Sequence, residues 1–359
     1  MALQPRRFGH LLTRIVFVTQ QVDRAHPVLA ATVAKIAALA ERVDEVTVLA
    51  DGAVPGTLPD NCRVRLFAAP FKLGRGVRFE AALAAELVRR PRAVIAHMCP
   101  IYAVLAAPLV RPLGIRLLLW YTHWNATPTL RLAERAATDI VSVDRRSFPL
   151  ESAKVVATGH GIDLGEFACA DGRRDGDFRL ATLGRYSPAK GLETIVRGVG
   201  LALARGLDTR LVMHGPAGNA QERAHRKTLE RLVQELGLER RVRLGEQILR
   251  SEIPALFDRA DALVNNMRAG APDKVVYEAC ASCVPVVVSN PVFDELLDDL
   301  EPPLRFPRED PAALAERLLE LAAVPGEARA ALGRSLRERV EQGHSVGSWA
   351  DRILEVALR

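Results

Sequence analysis

Arg185 and Lys190 stand five positions apart where an apolar run ends, within Leu183-Gly184-Arg185-Tyr186-Ser187-Pro188-Ala189-Lys190-Gly191-Leu192-Glu193. A planar guanidinium grips two oxygens at once and an ammonium acts as a point charge, a combination suited to a diphosphate. Phe178 to Gly184 reads as a buried strand, Pro188 and Gly191 break the chain, and Leu192 to Ala204 has helical spacing. Both cations therefore fall on a loop at a helix N-terminus, where free backbone N–H groups favour phosphate. A turn carrying two solvated cations has the same signature, so the motif alone leaves both readings open.

A second constellation begins at Gly270-Ala271-Pro272 and continues through Asp273-Lys274-Val275-Val276-Tyr277-Glu278-Ala279 into a helix that ends before a strand started by Pro285. Small residues at its start let backbone amides approach a ligand closely. Glu278, polar on an otherwise apolar face, can accept two ribose hydroxyls. Pairing with Lys274, four residues earlier, is the structural alternative. Among the histidines, His123 and His97 each follow a predicted strand and His26 lies on the first loop, where site residues of α/β sheets collect; a satisfied structural histidine is the alternative for each. No G-x-G-x-x-G follows the first strand, where Gln20-Gln21-Val22-Asp23-Arg24-Ala25-His26-Pro27 stands instead, and there is no P-loop. A dinucleotide-dependent dehydrogenase is thereby disfavoured.

These residues need a scaffold, and the hydrophobic pattern supplies one. Short apolar runs at Ile15–Thr19, Glu45–Leu49, Val64–Ala68, Ala93–Ala96, Arg116–Trp120 and Ile140–Val143 alternate with amphipathic stretches at Val28–Arg42, Phe79–Arg90 and Tyr102–Arg111. The rhythm restarts at Phe178–Leu183 and continues through Leu211–His214, Val242–Leu244, Ala262–Asn265 and Val286–Ser289, separated by helical segments. Strands so free of charge predict parallel sheets buried on both faces, so the chain reads as α/β with two Rossmann-like, doubly wound domains joined near residues 164–177. At 359 residues two domains are also the expectation from length. Ligands of such sheets bind beyond the carboxyl ends of the strands, which predicts a site in a cleft between the two domains. The stripe Val346, Trp349, Ile353, Leu354, Val356 and Ala357 predicts a terminal helix.

Charge divides unevenly: residues 1–150 hold 20 Lys and Arg against 11 Asp and Glu, the remainder 29 against 32. The clusters Lys72/Arg75/Arg78 and Arg89/Arg90/Arg92 lie beside apolar residues, which suits an anionic membrane surface or anionic acceptor, with ordinary solvated arginine as the alternative. Nucleic acid is disfavoured because aromatic residues are scarce and no recognition motif accompanies the charge. Cys62, Cys99, Cys169, Cys280 and Cys283 form no repeated pattern, which predicts free thiols in a reducing compartment, and Cys280/Cys283 reads as core thiols rather than metal ligands. Arg6, Arg7 and Arg14 flank only a very short apolar segment, so no signal peptide is read and a cytoplasmic location, with membrane association through the basic half, is expected. Ala93–Val110 nearly reaches spanning length, but Pro100, Pro108 and His97 divide it.

Gly184-Arg185 with Lys190-Gly191, then Val212-Met213-His214-Gly215-Pro216-Ala217-Gly218, then Asp273 to Ala279, together resemble the family 4 retaining glycosyltransferases (glycosyl transferases group 1). Val18-Thr19-Gln20 with Ala40 to Val48, Trp120-Tyr121-Thr122-His123, and Gly159-His160-Gly161-Ile162-Asp163 with Phe167 extend the resemblance through nearly the whole chain. It implies the GT-B fold, with an acceptor-binding domain at 1–163, a donor-binding domain at 164–343 and a terminal helix at 344–359 that crosses back to the first domain; packing on its own domain is the alternative. It further implies metal-independent transfer of a hexose, without a cofactor, from a nucleotide-diphosphate sugar to a lipid-linked, polysaccharide or small-molecule acceptor. Arg185 and Lys190 would neutralise the departing diphosphate, His123 would lie near the reacting carbon, and Glu278 would take the ribose. Gly184, Gly215, Gly270, Ala271, Pro272, Asp273, Lys274 and Val275 would line the donor, and His26 and His97 would face the acceptor. One departure stands out, because Gly270 occupies the position eight before Glu278 where many members carry a second glutamate; Asp273 or the amides of Ala271 to Lys274 are the candidates to compensate. The competing readings are a non-hydrolysing nucleotide-sugar 2-epimerase, for which no acid/base carboxylates are identified, and a catalytically silent sugar-nucleotide-binding scaffold.

Overall fold

The computed structural model describes residues 12–26, 29–169 and 176–359. Arg6, Arg7, Val28 and the centre of the 164–177 connection lie outside them. The chain divides into two compact units, Met1–Asp163 with Gly343–Arg359, and Leu164–Gln342.

The first unit is built on seven strands: β1 (Arg14–Val22), β2 (Glu45–Ala53), β3 (Cys62–Leu66), β4 (Ala93–His97), β5 (Arg116–Trp120), β6 (Asp139–Ser142) and β7 (Val155–Ala157). They lie in the order β3-β2-β1-β4-β5-β6-β7, all parallel. Helices α1 (Ala31–Ala40), α2 (Lys72–Leu87), α3 (Pro100–Val110) and α4 (Pro128–Ala136) make the crossovers. Strand β4 is buried along its whole length, as a chargeless run in a covered parallel sheet must be. The edge strand β3 departs from that expectation, with Arg63, Val64, Arg65 and Leu66 exposed. Phe67, Phe79 and Tyr102 pack edge-on or tilted at 4.7–5.5 Å and seat α2 and α3 on this end of the core. The stretch 93–110 divides into β4 and α3, and among the described residues no helix is long and apolar enough to cross a membrane.

The second unit has β8 (Phe178–Leu183), β9 (Thr209–His214), β10 (Val242–Leu244), β11 (Ala262–Asn265) and β12 (Val286–Val288), parallel in the order β10-β9-β8-β11-β12. Its helices are α5 (Leu192–Ala204), α6 (Ala220–Glu235), α7 (Ile253–Phe257), α8 (Lys274–Ala281), α9 (Asp294–Leu297), α10 (Pro311–Ala323) and most of α11 (Gly326–His344). The last helix, α12 (Val346–Ala357), belongs to the first unit and buries its apolar stripe against α1, where Arg42 bonds Asp351 at 2.6 Å.

Three features escaped the sequence pattern. Helix α2 starts seven residues before the expected Phe79, because Gly74, Gly76 and a run of cations mask its period. Strand β7 and helices α4 and α11 were not anticipated. Cys169 and Cys283 form a disulfide, contrary to the expectation of free thiols; a pairing across 114 residues leaves no spacing signal. Cys62, Cys99 and Cys280 remain thiols.

Trp349 is fully buried on α12. Trp349→Ala should cost the first unit about 3–5 kcal/mol, the range for truncating a large buried ring, read as a lower urea midpoint by tryptophan-independent circular dichroism. A change below about 1 kcal/mol would show that α12 does not share that core.

Candidate functional site

The second sheet changes winding direction between β8 and β11, since β9 and β10 lie on one side of β8 and β11 and β12 on the other. Ligands of doubly wound sheets bind outside the carboxyl ends at such a switch point. The loop after β8 carries Gly184 to Gly191, and the loop after β11 carries Asn266 to Asp273. A hollow of about 460 Å³ lined by Phe178, Asp208, Asp261 and Arg329 opens at the opposite, amino edge and does not share this geometry.

The loop after β8 is fixed in detail. Gly184 has φ +133° and donates to His214 O at 2.8 Å; a Cβ there would strike the Lys190 ammonium, and one on Gly215 would strike the Gly184 carbonyl. Tyr186 is buried, and its hydroxyl lies 2.8 Å from Gly245 O and 3.2 Å from Met213 O, which anchors the segment between the two cations. Gly191, left-handed, precedes the first turn of α5. Lys190 is only 11% exposed in its side chain; its Nζ bonds Leu183 O at 2.9 Å and the Asp273 carboxylate. Arg185 is 67% exposed, with Nη1 3.4 Å from Glu222 Oε1, and Glu222 in turn accepts the Gly218 N–H at 2.8 Å.

The facing loop is tied to the same points. Asn265 Nδ2 donates to Asp273 Oδ2 at 2.8 Å, Asn266 Nδ2 to Gly191 O at 2.9 Å, and Asn290 Nδ2 to Ala271 O and Arg268 O at 2.9 Å each. Gly270 has φ +78°, so a side chain at this position would strain the backbone. Ala271 and Pro272 are buried, while Asp273 and Lys274 are partly open. Asp273 Oδ2 carries both contacts, and Oδ1 carries none among the described residues.

Glu278 is 2% exposed and meets two cations on one oxygen, Arg250 Nη1 at 2.8 Å and Lys274 Nζ at 3.0 Å. Burial opposes its ionisation, but Lys274 and Arg250 outweigh burial and hold the carboxyl below the usual range. Arg250 also pairs with Glu166, and these carboxylates raise its pKa against the effect of burial. The structural pairing with Lys274 is therefore real, and Oε2 remains for another acceptor role.

The first-unit candidates lie at or just after the carboxyl ends of β1, β4 and β5, three adjacent strands, with His97 the last residue of β4. His123 Nδ1 accepts the Asn125 N–H at 3.0 Å, which puts the proton of the neutral ring on Nε2; its ring stacks on Trp124 at 5.1 Å. His26 Nδ1 accepts the Leu29 N–H at 3.0 Å, a local capping contact. His97 is buried between Phe17 and Trp120, and burial with Lys35 nearby keeps its imidazole well below the ordinary range and so neutral. It is a core group at the strand end rather than an open acceptor contact.

Tyr186, Glu222, Arg250, Asn265 and Asn266 were missed by the sequence reading. Only Asn265 and Asn266 carried a signal, two amides closing an apolar strand.

Residues 169–339 match the family described as glycosyl transferases group 1. The D-inositol 3-phosphate glycosyltransferase of Kineococcus radiotolerans is 30% identical over 232 residues, 58% of this chain and 52% of that relative, so the match spans about half the relative's length. Sucrose-phosphate synthase from Thermosynechococcus elongatus superposes with a TM-score of 0.73 at 20% identity, covering 96% of this chain and 98% of that one. Anabaena HepE in complex with UDP and glucose gives 0.73 at 15% identity, covering 96% and 99%. At these identities the structures share the GT-B fold.

The buried charge cluster sets a pH response. A carboxyl depressed in the folded state contributes stability above its unfolded pKa and loses it as pH falls through the folded value. Arg250→Met should remove one of the two cationic partners of Glu278, raise the Glu278 pKa and move acid unfolding of the second unit to higher pH. The expected cost at neutral pH is about 3–5 kcal/mol, as for a buried pair deprived of one member. An unchanged acid midpoint in a pH titration of circular dichroism would contradict this.

Proposed function

We propose that this chain, whose residues 169–339 match the glycosyl transferases group 1, is a retaining glycosyltransferase that moves a hexose from a nucleotide-diphosphate sugar to an acceptor held by the first unit. The observation that supports the reading is the bond from Lys190, just before α5, to Asp273, just before α8, at the switch point of the second sheet, with Arg185 on the first of these loops and Glu278 on the helix after the second. Neighbours of the same fold were crystallised with UDP and UDP-glucose, which supports a nucleotide donor of that chemistry.

In this reading the diphosphate lies over the α5 N-terminus against Lys190 and Arg185, and Glu278 Oε2 accepts a ribose hydroxyl. The C1–O bond to the β-phosphate breaks and its electron pair goes to the phosphate oxygen, where the fixed cations stabilise the new charge. The acceptor hydroxyl attacks C1 on the same face, and its proton passes to that phosphate oxygen. His123, with its proton on Nε2, is a candidate donor to a sugar hydroxyl near C1. Asp273 Oδ1 is the candidate acceptor for a sugar hydroxyl that Gly270 cannot take. No metal or cofactor is required by these steps.

A thermal-shift screen against UDP-, GDP-, ADP- and dTDP-sugars tests the donor, since a ligand that binds only the folded state raises its apparent stability. At least one should shift the transition, and no shift with any would overturn the reading. With the donor in hand, Lys190→Ala should lower kcat by about 10²–10³, the loss for one preorganised charge-stabilising donor, while the retained binding of the sugar nucleotide is followed calorimetrically. Binding without turnover in the wild type, across varied acceptors, would favour the silent scaffold; release of a C2-inverted sugar would favour the epimerase.

A further inference from the structure

Helix α2 is apolar on two opposite sides. Its inner side is Phe79, Leu83, Glu86 and Leu87, buried on the sheet. At about 3.6 residues per turn, the outer side is Leu73, Val77, Ala81, Ala84, Ala85 and the capping Val88, and every one of these is exposed. Leu73 is 79% exposed, Val77 58% and Val88 83%, and Phe71, at the helix start, is 67% exposed with its ring across Gly74. A surface helix of a globular protein carries charge on its outer side. Here that side is a continuous apolar stripe four turns long.

The charges sit at its two ends. Lys72, Arg75 and Arg78 bracket the start, and Arg89, Arg90 and Arg92 follow the end; between positions 72 and 92 the only carboxylates are Glu80 and the buried Glu86. Arg75 is engaged by Asp51 and Arg89 by Glu45, while Lys72, Arg78, Arg90 and Arg92 meet no carboxylate among the described residues. A second copy packed on this stripe, parallel or antiparallel, would set cations against cations at both ends. A bilayer of anionic lipid meets both requirements at once, with acyl chains for the stripe and phosphates for its ends.

We propose that the outer face of α2 docks on an anionic lipid bilayer, with the helix lying in the plane of the interface, Leu73, Val77 and Val88 entering the acyl boundary, and Lys72, Arg78 and Arg90 on headgroup phosphates. The inference does not rest on the donor reading of the second unit. It is tested by co-sedimentation with vesicles of phosphatidylglycerol and phosphatidylcholine and with vesicles of phosphatidylcholine alone. The wild type should partition to the first and not the second, and 0.5 M salt should release it.

Lys72→Gln and Arg90→Gln should each lower the partition constant about fivefold, the effect of one basic residue at an anionic surface. Leu73→Asp with Val77→Asp should lower it at least about tenfold, with thermal melting unchanged because both side chains face solvent. Wild type left in the supernatant with anionic vesicles, equal binding to neutral ones, or full binding by the double aspartate variant would overturn the proposal. So would a wild-type dimer by light scattering that the same double variant dissociates. Salt dependence of the wild type and the two glutamine variants keep the test decisive should the aspartate variant fold poorly.

Discussion

The bond between Lys190 and the Asp273 carboxylate holds together the parts of the second unit on which its chemistry depends. Lys190 reaches back to the carbonyl that ends β8, and Asp273 stands at the start of α8. Asn265, the last residue of β11, closes on the same carboxylate oxygen, and Asn266 closes on the carbonyl of Gly191. Two adjacent strand ends and the first turns of two helices are thus tied by charged or amide groups at the one place where the winding reverses. Backbone economy follows from this arrangement. Gly184 must lack a side chain because the ammonium occupies the space its Cβ would need, and Gly215 must lack one because the Gly184 carbonyl does.

Legibility from the sequence followed the range of the interaction. Arg185, Lys190 and Glu278 were readable because each belongs to a strand–turn–helix unit of local spacing, and the chargeless runs around them declared parallel strands. The two Rossmann-like units were legible for the same reason. Arg250 was not, because it sits 28 residues before Glu278 on a short turn with no pattern of its own. Glu222 was equally hidden, being one acid among many on the charged helix α6. The start of α2 was lost because two glycines and three cations dilute the helical period over its first two turns, and that loss also concealed the outer apolar stripe. The disulfide between Cys169 and Cys283 joins residues whose proximity only the folded chain creates.

The two sheets use their carboxyl edges differently. In the first unit, the edge is largely sealed: His97 is stacked between aromatic rings, and Lys35 lies over the Trp120 ring at 3.9 Å, so the cation and the neutral imidazole are both core groups. His123, one strand further along, keeps a ring nitrogen engaged by backbone and is only partly buried. In the second unit the corresponding edge is polar and carries carboxylate–cation pairs. An anion at the second edge would therefore meet cations already paired with carboxylates.

The pairing of cations in the second unit carries a consequence for any diphosphate that binds there. Lys190 holds Asp273, Arg185 approaches Glu222, and Lys274 and Arg250 share Glu278. The site is therefore near neutrality before an anion arrives, and an incoming phosphate competes with carboxylates rather than filling an empty positive well. The four contacts differ in how readily they yield. Glu278 is buried with two partners and cannot be deprived of them cheaply, whereas Arg185 is exposed and only approaches the buried Glu222, at 3.4 Å. Arg185 is the more exposed of the two cations, and Lys190 is anchored by a carbonyl as well as by Asp273. Under the proposed donor reading, the exposed Arg185 would engage a diphosphate while Lys190 keeps its contacts with Leu183 O and Asp273.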